Sequence, residues 1–308
     1  MKNSINLENI LYKRNKRVSI SSKVWRYILE RKLSQLSHEY IFYRRQLAIF
    51  SFDYVSTSIL LDGIYEVDEL EIFMEWLIGL KNKKIFEGIA LDIGANIGNH
   101  SLFFSDYYKK VLSFEPNFTT FQLLSINSKI VNNVECFNYG ISSTDNVANF
   151  EINMQNIGGG RVISEKNTSE KKVNLRRLDS LSYINMNNIK LIKIDVEGHE
   201  YEVLQGAAET IKKQKPLIIF EQHISDFVNN RSKAIELIKS YGYNKFACIE
   251  KSPSPVESWP VIFKLAYSTI YRFLFGSVKS IVEKKSFDAK FYSFIIAIPE
   301  WMDETENN

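Results

Sequence analysis

The 308-residue chain contains only two cysteines, six prolines and four histidines. Cys136 and Cys248 are too few for a disulfide framework. Each falls in an expected strand, so both read as reduced core residues. No apolar segment follows the first lysine, so no secretory leader is expected and the cytoplasm is the expected compartment. There is no unbroken apolar run of spanning length. Trp259 to Val282 is the most apolar and aromatic stretch, but Lys264, Arg272 and Lys279 interrupt it, and such charges are costly at bilayer depth. The first glycine turn also lacks the Gly-x-Gly-x-x-Gly spacing of dinucleotide binders. The formal net charge of +3 favours no class of partner.

What is present is a large apolar fraction, 45%, enough to bury one sizeable α/β domain with appendages. The most informative stretch is Ala90-Leu-Asp-Ile-Gly-Ala-Asn-Ile-Gly98. An apolar strand stops at Asp92, Gly94 and Gly98 bracket a turn, and Asn99 to Phe104 begins a helix. Glycine at such a turn reaches positive φ and lets a ligand approach the main chain. A strand–turn–helix unit of this kind places ligands at the carboxyl edge of a parallel sheet.

A second buried strand, Val111 to Phe114, ends at Glu115-Pro116. An acidic residue about 20 positions past a glycine turn suits ribose hydroxyls, because its two acceptor oxygens match the two donors of a diol. Further strands are expected at Val134–Tyr139, Leu191–Ile194, Pro216–Phe220, Tyr243–Glu250 and Phe291–Pro299. Helices are expected at Phe118–Val131, Glu200–Lys213 and Arg231–Tyr241. This alternation predicts a parallel sheet covered on both faces. One edge then collects Asp92, Glu115, Asp195, Glu197, Glu221 and His223.

These motifs, in this order, resemble the FkbM-type S-adenosylmethionine-dependent methyltransferases: Asp92 to Gly98, Phe114-Glu-Pro116, Ile192 to Glu200, and Phe220-Glu221. Gly63-Ile-Tyr-Glu66 with Glu69 resembles the family's entry segment. The resemblance covers residues 60–250. It implies an α/β fold of the Rossmann-like class I methyltransferase type, a seven-stranded mostly parallel sheet with helices on both faces. It also implies S-adenosyl-L-methionine as cofactor and O-methylation of a sugar or glycan hydroxyl. The implied donor site is Asp92, Gly94, Ala95, Asn96, Gly98, Asn99, Glu115, Pro116, Gly140, Ile141, Ser142 and Asp195. Tyr65 and Glu66 are the implied substrate contacts.

In such a transfer a hydroxyl oxygen attacks the sulfonium methyl in line, and the protein must orient both reactants and accept a proton. Candidates for that role are Asp195, Glu197, His199, Glu221 and His223. Among them His223 has an imidazole that titrates near neutral pH. Asp195, Glu221 and His223 also leave open a divalent metal such as Mg²⁺ or Mn²⁺. Alternative readings are a phosphate-containing or amine acceptor, and a non-catalytic binding protein on the same fold.

Three appendages complete the reading. Residues 1–60 form a basic helical extension, with the methyltransferase domain at 61–308. Residues 1–50 carry 11 Lys/Arg against 3 Asp/Glu. Val24 to Phe50 has helical apolar spacing, and Lys13–Arg17 leaves peripheral contact with anionic lipid open. Nucleic acid is not an expected partner. Short strands are expected at Ala148–Ile152 and Lys172–Leu175, flanking Gly158-Gly-Gly160-Arg161, which reads either as an anion-binding loop with Arg161 on substrate or as a turn with a solvated arginine. The aromatic insert at 252–290 is expected to form two short helices, as a lid or a homo-oligomer contact.

Overall fold

The computed structural model describes residues 19–41, 44–51, 53–153, 156–163, 171–251 and 279–303. Met1–Arg45 and Gln46–Asn308 form two compact units. In the first, the described residues form one helix, α1 (Ile20–Tyr40), which is capped by Ser19 and buries Leu36. Trp25, Ile28 and Leu29 on this helix are exposed. The helix accounts for most of the expected helical stretch Val24–Phe50, and residues 45–50 are irregular.

In the second unit, α2 (Tyr54–Asp62) and α3 (Val67–Gly79) precede the sheet. The helix α2 runs across the expected boundary at 60/61. Then follow β1 (Ile89–Ile93), α4 (Asn99–Phe104), β2 (Lys110–Phe114), α5 (Phe118–Asn127), β3 (Val134–Phe137) and β4 (Gly140–Ile141). Next come β5 (Asn146–Asn153), β6 (Asn156–Ile163), β7 (Lys171–Arg176), β8 (Ile189–Ile194), α6 (Glu200–Gly206), α7 (Ala208–Gln214) and β9 (Leu217–Gln222). The chain continues with β10 (Phe227–Val228), β11 (Arg231–Ser232), α8 (Lys233–Ser240), β12 (Lys245–Lys251), β13 (Lys279–Glu283) and β14 (Tyr292–Ile298).

The main sheet has eight strands in the order β13-β12-β14-β9-β8-β1-β2-β3. From β9 through β3 the pairing is parallel, and β14, β12 and β13 add antiparallel. The inner strands are buried on both faces, which is why they read as near-continuous apolar runs. Leu91, Ile93, Ile192 and Ile194 enter one core cluster, while Ala90, Val111, Leu191 and Ile219 enter the other. Chain progression reverses direction between β1 and β8, and the carboxyl ends diverge there into a crevice.

All seven strands expected in the main sheet form, and an eighth, β13, lies at the edge. It falls inside the insert expected to be helical. Ile281 and Val282 are β-branched, and Ser280-Ile281-Val282 pairs with Cys248 to Glu250 of β12, which overrides the apolar spacing. Residues 252–278 lie outside the described residues. The expected helix Glu200–Lys213 is two helices that break at Ala207. A separate four-stranded sheet, β4-β7-β5-β6, contains Gly158–Gly160. The expected glycine loop is therefore strand β6, paired with β5. Cys136 and Cys248 are unpaired.

Candidate active site at the carboxyl edge

The turn after β1 is held by main-chain bonds: the N–H groups of Gly94 and Ala95 both donate to the Phe114 carbonyl at 3.0 Å. Gly94 has φ +80, and a Cβ there would stand 1.7 Å from the Asp195 carbonyl oxygen. The sequence reading reserved this space for a ligand. It is filled by the backbone leaving β8, so glycine is required for strand-to-strand approach. Gly98, φ 94, is the left-handed residue that opens α4.

Under this turn lies a polar chain absent from the sequence reading. Lys193 is 3% exposed, and its Nζ is 3.2 Å from both Asp92 Oδ1 and Asp195 Oδ2. It also donates to the Gly94 carbonyl at 3.2 Å. Asp92 Oδ2 accepts from Ser101 Oγ at 2.5 Å, and Ser113 Oγ donates to Ser101 at 2.8 Å. Asp92 is fully buried and anchors the turn from below. Burial opposes ionisation of Asp195, but Lys193, with His100 adding to it, holds this carboxyl below the ordinary range.

Glu115 leaves β2 almost fully buried. Its Oε2 accepts from Asn96 N at 3.0 Å and its Oε1 from Asn117 N at 2.8 Å. Each oxygen keeps a free acceptor position, as diol recognition requires. Burial pushes its pKa to about 7 against the two backbone bonds. Asn96, at φ 51, serves the site through its backbone. The Asn99 side chain exchanges two 3.0 Å hydrogen bonds with the Tyr65 backbone. It thereby fixes the entry segment and does not itself face the pocket.

One pocket brings together Gly94, Glu115, Pro116, Gly140, Ile141, Asp195, Glu197 and His199. Phe150, Gly160 and Val162 of the β5–β6 hairpin also line it, leaving about 40 Å³ open. Ser142 Oγ lies 2.9 Å from His199 Nε2. Burial lowers the His199 pKa against the nearby Glu202 carboxylate, which raises it. Arg161 is not in the pocket lining. It pairs with Glu151 at 2.9 Å on the exposed side of the hairpin.

The turn after β8 places Glu197 at φ 55 and Gly198 at φ 93. The buried Glu200 steadies it by accepting from Val196 N at 3.3 Å and Gly198 N at 3.1 Å. This aims Glu197 at the end of β9. There His223 Nε2 lies 3.3 Å from Glu221 Oε2 and 3.6 Å from Glu197 Oε2. The two carboxylates raise the His223 pKa to about 11. Burial, with Asp195 and Glu197 nearby, raises Glu221 to about 8. His223 therefore holds its proton at neutral pH in this arrangement and is not the free imidazole that the sequence suggested.

A cleft of about 860 Å³ opens on the other side of Glu221, lined also by Tyr54, Tyr65, Glu66, Glu69, Glu250, Lys279, Lys290 and Tyr292. Glu66 Oε2 lies 3.3 Å from Nε2 of the buried His100, a second residue absent from the sequence reading. Among the described residues no helix is long and apolar enough to cross a membrane.

The hexuronic acid methyltransferase AglP of Haloferax volcanii is 31% identical over 135 residues, which is 43% of this chain and 55% of that protein. Methyltransferase 1 of Beauveria bassiana is 24% identical over 197 residues, 56% of this chain and 74% of that one. Among solved structures, methyltransferase FkbM from Methylobacillus flagellatus KT is similar at 15% identity and a TM-score of 0.35, covering 73% of this chain and 56% of that one. Residues 92–245, half of the chain, match the methyltransferase FkbM domain, and this span runs from the glycine turn through Glu115, Asp195, Glu197, Glu221 and His223. The chain thus belongs to the FkbM methyltransferase family.

Proposed function

We propose that the protein transfers a methyl group from S-adenosyl-L-methionine to a hydroxyl of a sugar or glycan. The observation that carries this is Glu115, a buried carboxylate aimed into the pocket at the β1–β8 crevice with one acceptor position free on each oxygen. Glu115 would hold the ribose diol, and the Gly94 turn would set the distance of the donor from the backbone. The open space is far below what a nucleoside fills, so donor entry needs the β5–β6 hairpin to withdraw. In the transfer, an oxygen–carbon bond forms as the carbon–sulfur bond breaks. The electron pair stays on sulfur, and the hydroxyl proton passes to water in the cleft beside Asp195, Glu197, Glu221 and His223.

The larger cleft supports a polyhydroxylated acceptor, because Tyr54, Tyr65 and Tyr292 offer flat faces and Glu66, Glu69 and Glu250 offer acceptors for hydroxyls. The Haloferax relative, which is named for hexuronic acid, favours a uronic acid residue within a glycan. Methyl-labelled donor incubated with uronate-bearing oligosaccharides should give labelled sugar. Label appearing only on phosphate or amine acceptors would reject the hydroxyl reading.

Donor binding should depend on pH through Glu115, whose pKa stands near 7. The ionised form accepts the ribose hydroxyls, so affinity for S-adenosylhomocysteine should be flat above pH 7 and fall by up to about tenfold per unit below it. In Glu115→Gln that slope should vanish. A slope unchanged in the variant would assign the titration elsewhere.

A further inference from the structure

We infer that Glu197, Glu221 and His223 form a binding site for one first-row divalent cation, placed to hold the acceptor hydroxyl. This deepens the methyltransferase reading and rests on it for the identity of the acceptor. Once the cation displaces the proton that His223 holds between the two carboxylates, the three side chains each offer one ligand atom, and these atoms all lie within 4.8 Å of one another. His223 Nε2 is sealed from solvent and makes a well-aligned hydrogen bond to neither carboxylate. Its 3.3 and 3.6 Å separations from them are longer than charge-assisted hydrogen bonds. Ligand atoms about 2.1 Å from one ion lie ~3.0–3.4 Å apart when cis or tetrahedrally related, which holds the Glu221 separation of 3.3 Å, and the Glu197 separation of 3.6 Å needs only a small inward movement of that side chain.

Position adds a second argument. Glu197 lines the donor pocket and Glu221 lines the large cleft, so the three ligands stand where the two spaces meet. An ion there would touch an acceptor oxygen presented from the cleft and face the donor. Three protein ligands leave coordination positions for that oxygen and for water. An imidazole nitrogen with two carboxylates favours Mn²⁺, Fe²⁺ or Zn²⁺ over Ca²⁺ or Mg²⁺. A bound cation also makes a coordinated hydroxyl more acidic, and its proton leaves to water through the cleft. Asp195 is not among the three, because Lys193 already neutralises it.

The test is a Mn²⁺ titration of the full chain followed by electron paramagnetic resonance, with S-adenosylhomocysteine binding measured in parallel. One Mn²⁺ should bind per chain. Glu221→Gln and His223→Gln should each weaken it at least tenfold while keeping the parent's circular dichroism. Zn²⁺ should displace bound Mn²⁺ from the unaltered chain, a readout that needs no variant. Absence of saturable binding of either ion by the parent, or equal binding by both variants, would overturn the site. If the ion binds but S-adenosylhomocysteine does not, the donor assignment fails and the cation site stands.

Discussion

Replacing Lys193 with Met should destabilise the domain by about 3–5 kcal/mol, because it leaves two carboxylates without their counter-charge under the glycine turn. In a domain of this size that is a fall of ~6–20 °C in Tm. Lys193 contacts Asp92, Asp195 and the Gly94 carbonyl at once, so its loss unties β8 from the turn after β1. The sign of the pH dependence follows from Asp195, which Lys193 holds below the ordinary carboxylate range. A carboxylate whose folded pKa is depressed contributes stability above its unfolded pKa of ~4 and loses it as pH falls through the folded value. The deficit of the variant should therefore be full at neutral pH and shrink in acid. Adding Asp92→Asn to Lys193→Met should recover part of it, since one unpaired charge is removed. Urea unfolding at two pH values checks both statements, and a constant deficit would mean that lost packing, not lost charge pairing, is responsible.

Gly94→Ala should be more damaging still. Its Cβ would fall 1.7 Å from the Asp195 carbonyl oxygen, so β1 and β8 cannot keep their register at the turn. Gly198→Ala is the internal control: φ there is also positive, at +93, but a Cβ meets nothing within 4 Å. That variant bears only the left-handed strain of an L-residue, about 1–2 kcal/mol. Soluble yield and thermal melting should separate the two clearly, with Gly94→Ala failing to give a cooperative transition. Similar melting of both would mean that the β1–β8 approach is not tight.

These two residues also mark where the sequence was and was not legible. Gly94 was visible as a turn glycine, but one chain cannot reveal whether ligand or backbone fills the space beside it. Lys193 left a signal, a lysine inside the apolar run Leu191-Ile192-Lys193-Ile194. That position becomes meaningful only when β8 is known to pair with β1, which puts Asp92 opposite Lys193. The parallel strands and their polar ends were legible because doubly buried strands are apolar along most of their length. Edge elements were not: β13 and the Gly158–Gly160 part of β6 take their conformation from the strands they pair with. Histidine roles depended on neighbours distant in sequence. Ser142 lies 57 positions from His199, and Glu197 lies across the crevice from His223.

Tyr54, which lies before the expected boundary at 60/61, lines the large cleft. The compact units divide after Arg45. Because β13 is a sheet strand, deletion across 256–286 would cut into the sheet as well as remove the insert.

The central claim is that the pocket at Gly94 and Glu115 holds the nucleoside of the methyl donor. Calorimetric titration with S-adenosylhomocysteine, on the full chain and on Glu115→Ala, tests it most directly. Loss of the carboxylate leaves the ribose hydroxyls and the Asn96 and Asn117 N–H groups without acceptors, at a cost of about 1–3 kcal/mol, or ~5- to 150-fold in affinity. The account predicts one site per parent chain and that loss in the variant at unchanged circular dichroism. No saturable binding by the parent, or equal affinity in both chains, would contradict it.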